Sequence, residues 1–348
     1  MTMSIPAHPS KPLRAVVLGG SGYTGAEVLR LLLPHPAFHV VAVTGESHAG
    51  ASLRDVFPHL GSALTLVKLE DVAFDDIDVV FSCLPHAAGQ GVMASLPASC
   101  VIVDLSADFR LRDVATYEHW YGPHLAKDLQ KEAVYGLSEW YEDDIRTARL
   151  IANPGCYPTA SLLPLIPLLR GGLIDIDVII DAKSGISGAG RKANVTLLGA
   201  ERMENFSAYG LGHHRHYPEI VQECQAAAGQ SIRLTFTPHL VPMVRGMLAT
   251  IYARGGDWGV IQKTLEEAAS HAPVVQVTHK AEHVAPKYVS GTTRCHVGAF
   301  AGYHEGDVIL VSVIDNLGKG AAGQAVQNAN IRFGLDPTLG LQTLAAYP

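Results

Sequence analysis

Cys156 stands where a thiol can react: it follows Pro154-Gly155 and opens the apolar run "CYPTASLLPLIPLLR". Pro-Gly forces a bend, and the run beyond it predicts a helix with the cysteine in its first turn. There the helix dipole and unsatisfied N–H groups favour thiolate over thiol. The same N–H groups can hold an oxyanion on a carbonyl that the sulfur attacks. The competing reading, a small buried core residue, suits the other four cysteines better. A thiolate needs a proton partner, and "GLGHHRHYPEI" (210–220) supplies His213, His214 and His216 around Arg215, followed by Glu219. Metal binding fits this loop poorly. Its histidines are too close for an i, i+4 ligand pair, and no carboxylate or thiolate cluster accompanies them. It reads either as a plain surface loop or as one bringing His214 or His216 to Cys156 as acid and base, with Glu219 or Arg215 fixing geometry.

Two further stretches suit anions. In "VDLSADFRL" (103–111), Ser106 and Arg110 follow an apolar strand and can hydrogen-bond a phosphate, the arginine bidentately. "KSGISGAGRKA" (183–193) is a glycine-serine loop in which Arg191 is a substrate candidate and Ser187 and Gly188 are cofactor candidates. A dinucleotide site is read at Gly20-Ser21-Gly22-Tyr23-Thr24-Gly25, which fits GxGxxG with a strand before it and a helix after it. The ribose is read about twenty residues further on, in "VTGESHAG" (43–50). Glu46 there suits the 2′-OH of NAD, whereas Thr44, Ser47 and His48 suit a 2′-phosphate, with no arginine before Arg54. The residues alone leave that choice open.

These groups need elements to hold them. Apolar runs at 13–18, 38–44, 77–83 and 100–105 alternate with helical segments, predicting an α/β Rossmann domain with a parallel, doubly wound sheet over residues 1–155. Strand patterns at 177–183, 232–236, 247–253, 274–278, 294–300 and 307–313 have fewer helices between them. They predict an α+β catalytic and oligomerisation domain with a mixed or antiparallel sheet over 156–317. The tail 318–348 carries a helix pattern that can return to the first domain.

Composition narrows the function classes. The chain has 348 residues with 26 basic against 33 acidic side chains, scattered along it, so neither a nucleic-acid surface nor a basic membrane helix is indicated. Leu162–Leu169 is too short and too proline-rich for a membrane span. The opening "MTMSIPAHPSKPLR" lacks the apolar core of a signal peptide. Five scattered cysteines without a CxxC pair predict reduced thiols and a cytoplasmic protein.

The blocks "GGSGYTGAEVLRLL", "SCLPH", "VDLSADFRL", "YGLSE", "NPGCYPTA", "AKSGISGAGR", "HRHYPEI", "TPHLVPMVRGMLAT" and "DNLGKGAAGQAVQN" run in order from residue 19 to about 328. They resemble the N-acetyl-γ-glutamyl-phosphate reductase family, the arginine-biosynthesis branch of the semialdehyde dehydrogenases. The resemblance implies NADPH-dependent reduction of N-acetyl-L-glutamyl 5-phosphate to N-acetyl-L-glutamate 5-semialdehyde and phosphate through a thioacyl intermediate. It implies a small-molecule substrate and a homo-oligomer, dimer or tetramer. It also makes Cys156 the nucleophile, His214 and His216 the acid/base candidates, Arg110 a phosphate ligand, and Asn316 a neighbour of the nicotinamide. His213 has no place in the family pattern. Two alternatives stand beside it. One is an aminoadipyl-phosphate reductase acting on a carrier-protein-bound substrate, which should show a basic docking surface. The other is a cysteine acyltransferase or hydrolase that makes no use of a cofactor. A non-enzymatic NADPH-binding redox sensor is a further reading, without activity to lose.

Overall fold

The computed structural model describes residues 11–346, so most of the stretch read for a leader lies outside them. The chain divides into two compact units: residues up to Pro154 with Ala321–Leu341, and Gly155–Gly320 with the residues from Gln342. The tail pattern expected over 318–348 therefore divides between the units. Its α-helix, Gly323–Arg332, packs in the first unit against the helices Tyr23–Leu32 and Ser138–Ile145.

The first unit holds β1 (Leu13–Leu18), β2 (Phe38–Thr44), β3 (Leu66–Val67), β4 (Val79–Ser82), β5 (Val101–Asp104), β6 (Ala133–Tyr135) and β7 (Leu150–Ala152). They form one sheet in the order β3-β2-β1-β4-β5-β7-β6, and every pairing is parallel. Both faces of such a sheet are covered, which is why β4 (VVFS) and β5 (VIVD) are buried at every position instead of alternating. Chain order reverses between β1 and β4. The loops beyond the carboxyl ends of these strands flank the crevice where α/β sheets take ligands.

The second unit holds β8 (Asp177–Ser184), β9 (Ser207–Ala208), β10 (Arg233–Leu240), β11 (Met247–Arg254), β12 (Val275–Thr278), β13 (Cys295–Ala301) and β14 (Asp307–Ile314). They form a mixed sheet in the order β12-β13-β14-β11-β8-β10-β9. β8 and β10 are parallel, while β11 runs antiparallel to β8 and β14. Burial alternates along β8 and β11, so one face of this sheet is core and the other faces out. The helix Cys156–Arg170 packs on β11 and β14 and also touches the helices Tyr217–Ala228 and Trp258–Ser270. Tyr157 through Leu169 are buried all round it, which explains its uniformly apolar sequence. Pro164 and Pro167 remove two backbone donors inside it.

Candidate active site

Cys156 is the first residue of its helix. Gly155 caps the helix with extended backbone and no side-chain acceptor, and there is no acidic residue in the first turn. The leading N–H groups of a helix have no intrahelical acceptor, so they remain available to an oxyanion at the sulfur. The bend itself is fixed from a second helix. Glu219, 1 % exposed near the start of Tyr217–Ala228, accepts the Gly155 N–H at 2.9 Å. Thr159 adds two bonds to the Gly155 carbonyl, from its N–H at 2.9 Å and its hydroxyl at 3.0 Å. Cys156 itself is half-buried and in no disulfide. Gly320 lies against it: a Cβ there would fall 2.8 Å from the Cys156 Cβ, so the π-helical segment Gly318–Ala322 demands glycine at that point.

The two family histidines gather on Tyr157, the residue after the thiol. Ring centroids are 5.4 Å apart for Tyr157 and His214, 5.8 Å for Tyr157 and His216, and 5.1 Å for the two imidazoles. His214 Nδ1 accepts the His216 N–H at 3.1 Å. The proton of the neutral ring therefore sits on Nε2, 3.3 Å from the Tyr209 hydroxyl. Tyr209 in turn donates to Tyr157 at 3.0 Å, and Tyr157 donates to the His239 carbonyl at 3.2 Å. Burial, with His213 and Arg215 adding like charge, pushes the His214 pKa down to about 4, so its ring is neutral at pH 7. Burial raises both tyrosines, Tyr209 to about 12. His213 and Arg215 are exposed. The aromatic pair Tyr157 and Tyr209 was not among the sequence candidates. Its signal was present in "CYPT", where a bulky ring follows the nucleophile directly.

Elsewhere in the same unit, Asn316 joins two loops. Its carbonyl accepts the Gly246 N–H at 2.8 Å and its amide donates to Ser187 Oγ at 2.9 Å. Asn316 is 2 % exposed and Ser187 6 %, so these two hold the loop that exposes Gly188 and Arg191. They do not present their own polar atoms outward. Asp315 beside them takes Arg245 at 2.8 Å.

In the first unit the glycine turn follows β1 as the pattern requires. Gly19 donates to Thr44 Oγ1 at 2.9 Å and Gly20 to the Thr44 carbonyl at 2.7 Å. A Cβ on Gly20 would strike Val43 at 2.2 Å, and one on Gly25 would strike the Gly19 carbonyl at 2.5 Å, so both glycines serve strand–helix packing. Gly22 differs. Its φ is −85° and a Cβ would meet only the Gly19 carbonyl, at an ordinary 3.7 Å. What a side chain would obstruct at Gly22 is the space before the helix N-terminus, where no side chain caps Tyr23–Leu32. That is a fit for a pyrophosphate.

Four of the anion and ribose candidates are engaged within the protein itself. Thr44 is 2 % exposed with its hydroxyl holding the turn, so it does not face a 2′-phosphate. Ser106 is 2 % exposed, donating to Asp104 at 2.6 Å and accepting the Asp108 N–H at 3.1 Å. Arg110 is 6 % exposed and donates to the carbonyls of Asn153 at 2.7 Å and Leu105 at 2.9 Å. Through these bonds Ser106 and Arg110 shape the loop after β5. Glu46 is exposed, and one oxygen of its carboxylate accepts the Leu69 N–H at 3.1 Å. Ser47 is exposed and bonded to His48 Nδ1 at 2.9 Å. Among the described residues no group of three or more His, Cys, Asp or Glu is placed to hold a metal ion.

Comparison with known proteins follows the same division. Residues 14–148 match the semialdehyde dehydrogenase NAD binding domain, and residues 156–316 match the semialdehyde dehydrogenase dimerisation domain. The fold is that of aspartate semialdehyde dehydrogenase II from Vibrio cholerae, solved with ASA, at TM-score 0.72 and 18% identity over 93% of this chain and 99% of that one. It is shared by aspartate semialdehyde dehydrogenase from Candida albicans, solved with NADP, at TM-score 0.68 and 19% identity over 92% and 98%. A probable chloroplastic N-acetyl-gamma-glutamyl-phosphate reductase of Arabidopsis thaliana is 48% identical over 100% of this chain and 88% of its own length. The N-acetyl-gamma-glutamyl-phosphate reductase of Ruegeria pomeroyi is 45% identical over 96% and 99%. With such identity along its whole length, and with the glycine turn and the cysteine that opens its helix in place, this chain belongs to the N-acetyl-gamma-glutamyl-phosphate reductase family.

Proposed function

We propose that this protein reduces N-acetyl-L-glutamyl 5-phosphate to N-acetyl-L-glutamate 5-semialdehyde and phosphate with NADPH, a step of arginine biosynthesis, and that Cys156 is its nucleophile. The observation that carries the reading is Cys156 at an uncapped helix N-terminus, with the bend before it tied by Glu219. The sulfur attacks the acyl carbon, a C–S bond forms, the bond to phosphate breaks, and the oxyanion faces the first-turn N–H groups. NADPH, when bound, supplies the hydride that takes the thioester carbon to the aldehyde level. We assign proton transfer to His216: it takes the thiol proton and returns it to sulfur when the aldehyde leaves. His214 is the less suitable group because both its nitrogens are engaged and its ring stays neutral to about pH 4. The His216 N–H fixes the tautomer of His214, and the Tyr209 hydroxyl accepts its Nε2–H.

The turn at Gly20–Gly25 holds the pyrophosphate, with Gly22 leaving the approach open. Ser47, exposed beside His48, is the group offered to the 2′-phosphate of NADP, and the engagement of Glu46 with Leu69 weakens the case for NAD. Ser187 and Asn316 support the cofactor loop from beneath, Gly188 is offered to the cofactor at its exposed surface, and Arg191, exposed on that loop, serves the substrate. We read the protein as a cytoplasmic homo-oligomer. No helix among the described residues is long and apolar enough to cross a membrane. Ile179 (44 % exposed) and Tyr252 (42 %) stand on the outward face of the second sheet, which a second copy would cover.

Mixing the protein with acyl phosphate in the absence of NADPH tests the chemistry. Intact mass should show one N-acetylglutamyl group on the wild type and none on Cys156→Ser. An unmodified wild type that still turns over with NADPH would remove Cys156 as nucleophile.

A further inference from the structure

Ala87 is one of two non-glycine residues with positive φ among the described residues, at 66°. It stands third in the turn 85–88, which closes where the Pro85 carbonyl accepts the Ala88 N–H at 3.1 Å. A positive φ at that position of a turn favours glycine, so alanine is held there against its backbone preference. Asp108 does the holding. Its two carboxylate oxygens accept the Ala87 N–H at 2.8 and 3.0 Å. Tyr117 donates its hydroxyl to the same carboxylate at 2.7 Å, and the Gln90 amide donates to that hydroxyl at 2.8 Å. Asp108, Tyr117 and Gln90 are all fully buried, whereas Ala87 is exposed. A buried carboxylate thus directs charge-assisted bonds at one strained peptide on the surface.

The turn lies where a dinucleotide must pass. β4 pairs with β1 at the point where strand order reverses. Gly19 of the glycine turn packs on the peptide that leaves β4: a Cβ there would fall 2.7 Å from the Cys83 carbonyl. β2 lies on the other side of β1. With the pyrophosphate at 20–25 and the ribose phosphate beyond β2, the nicotinamide half extends over the end of β4, onto the turn 85–88.

We propose that Asp108 is a positioning residue for the cofactor: by holding Ala87 in the left-handed conformation it presets the turn 85–88 for the nicotinamide half of NADP. The proposal rests on the reading of Gly20–Gly25 as the pyrophosphate site. A turn formed in advance removes the cost of reshaping it on binding.

The test is calorimetric titration of the full chain with NADP and with adenosine 2′,5′-bisphosphate, which lacks the nicotinamide half. Asp108→Asn leaves one accepting oxygen for two donors. It should raise the Kd of NADP roughly tenfold and leave that of the bisphosphate within about twofold. Ala87→Gly added to Asp108→Asn should return NADP to within about threefold of wild type, because glycine takes positive φ without strain. Ala87→Val, at an exposed position, should weaken NADP and spare the bisphosphate even if Asp108→Asn fails to fold, since a β-branched residue resists that φ. Equal losses for both ligands would make Asp108 a support of the whole domain and overturn the proposal. Unchanged NADP affinity in Asp108→Asn and Ala87→Val, or no recovery with glycine, would overturn it too. A wild type that binds neither ligand would overturn the pyrophosphate reading, and the proposal with it.

Discussion

At the residue scale the chemistry rests on what surrounds Cys156, and not on the thiol alone. The sequence pattern placed the cysteine at a helix start, and the family histidines lie on the neighbouring Tyr157. What it missed are second partners, because a hydrogen bond such as Glu219 to the Gly155 N–H spans 64 positions and leaves no local trace. The neutral His214 ring has a measurable consequence. An unfolded histidine takes a proton near 6.5, while the folded one waits until about 4. Between those values the unfolded state binds more protons, so stability falls as pH drops, by up to about 1.4 kcal/mol per unit, and this loss ends below about 4. Chemical denaturation from pH 7 to 4 should therefore give a smaller slope for His214→Asn than for wild type. Parallel curves would mean that His214 titrates normally. Gly320→Ala should lower stability by about 1–3 kcal/mol through overpacking against Cys156. It should also slow alkylation of Cys156 by iodoacetamide, and an unchanged rate with unchanged stability would refute the close approach.

At the element scale, the long parallel strands and the glycine turn were legible because continuous apolar runs and GxGxxG are local signals. The short strands β3, β6, β7 and β9, two or three residues each, were not: so few residues carry no period, and tertiary pairing alone makes them strands. In the loop after β5 the contacts, too, are not legible from composition. "DLSADFR" has the composition of a phosphate loop, yet Ser106 folds onto Asp104 and Arg110 onto two carbonyls. Burial holds Asp104 up at about 6, with Ser106 and Arg110 acting in the opposite sense. Arg110→Ala should thus destabilise the protein by roughly 3–5 kcal/mol, since it removes a buried cation beside buried carboxylates. In the reverse reaction, where phosphate is a substrate, KM for phosphate should change little. A large rise in that KM with wild-type stability would restore Arg110 as a phosphate ligand.

At the scale of the whole molecule, the sequence separates the two sheets by their patterning: continuous burial in one, alternation in the other. The outward face of the second sheet follows from that alternation. Tyr252→Asp and Ile179→Asp together should convert the proposed homo-oligomer to monomers in sedimentation velocity, and an unchanged sedimentation coefficient would place the contact elsewhere. The activity itself joins what both units carry, a dinucleotide turn and a cysteine helix. It is tested most directly in reverse, because acyl phosphates are labile. N-acetylglutamate semialdehyde, phosphate and NADP are mixed with the protein and the nicotinamide absorbance is followed. The account predicts growth that requires phosphate, is stronger with NADP than with NAD, and is absent in Cys156→Ser. Growth without phosphate, or growth retained by the serine variant, would contradict it.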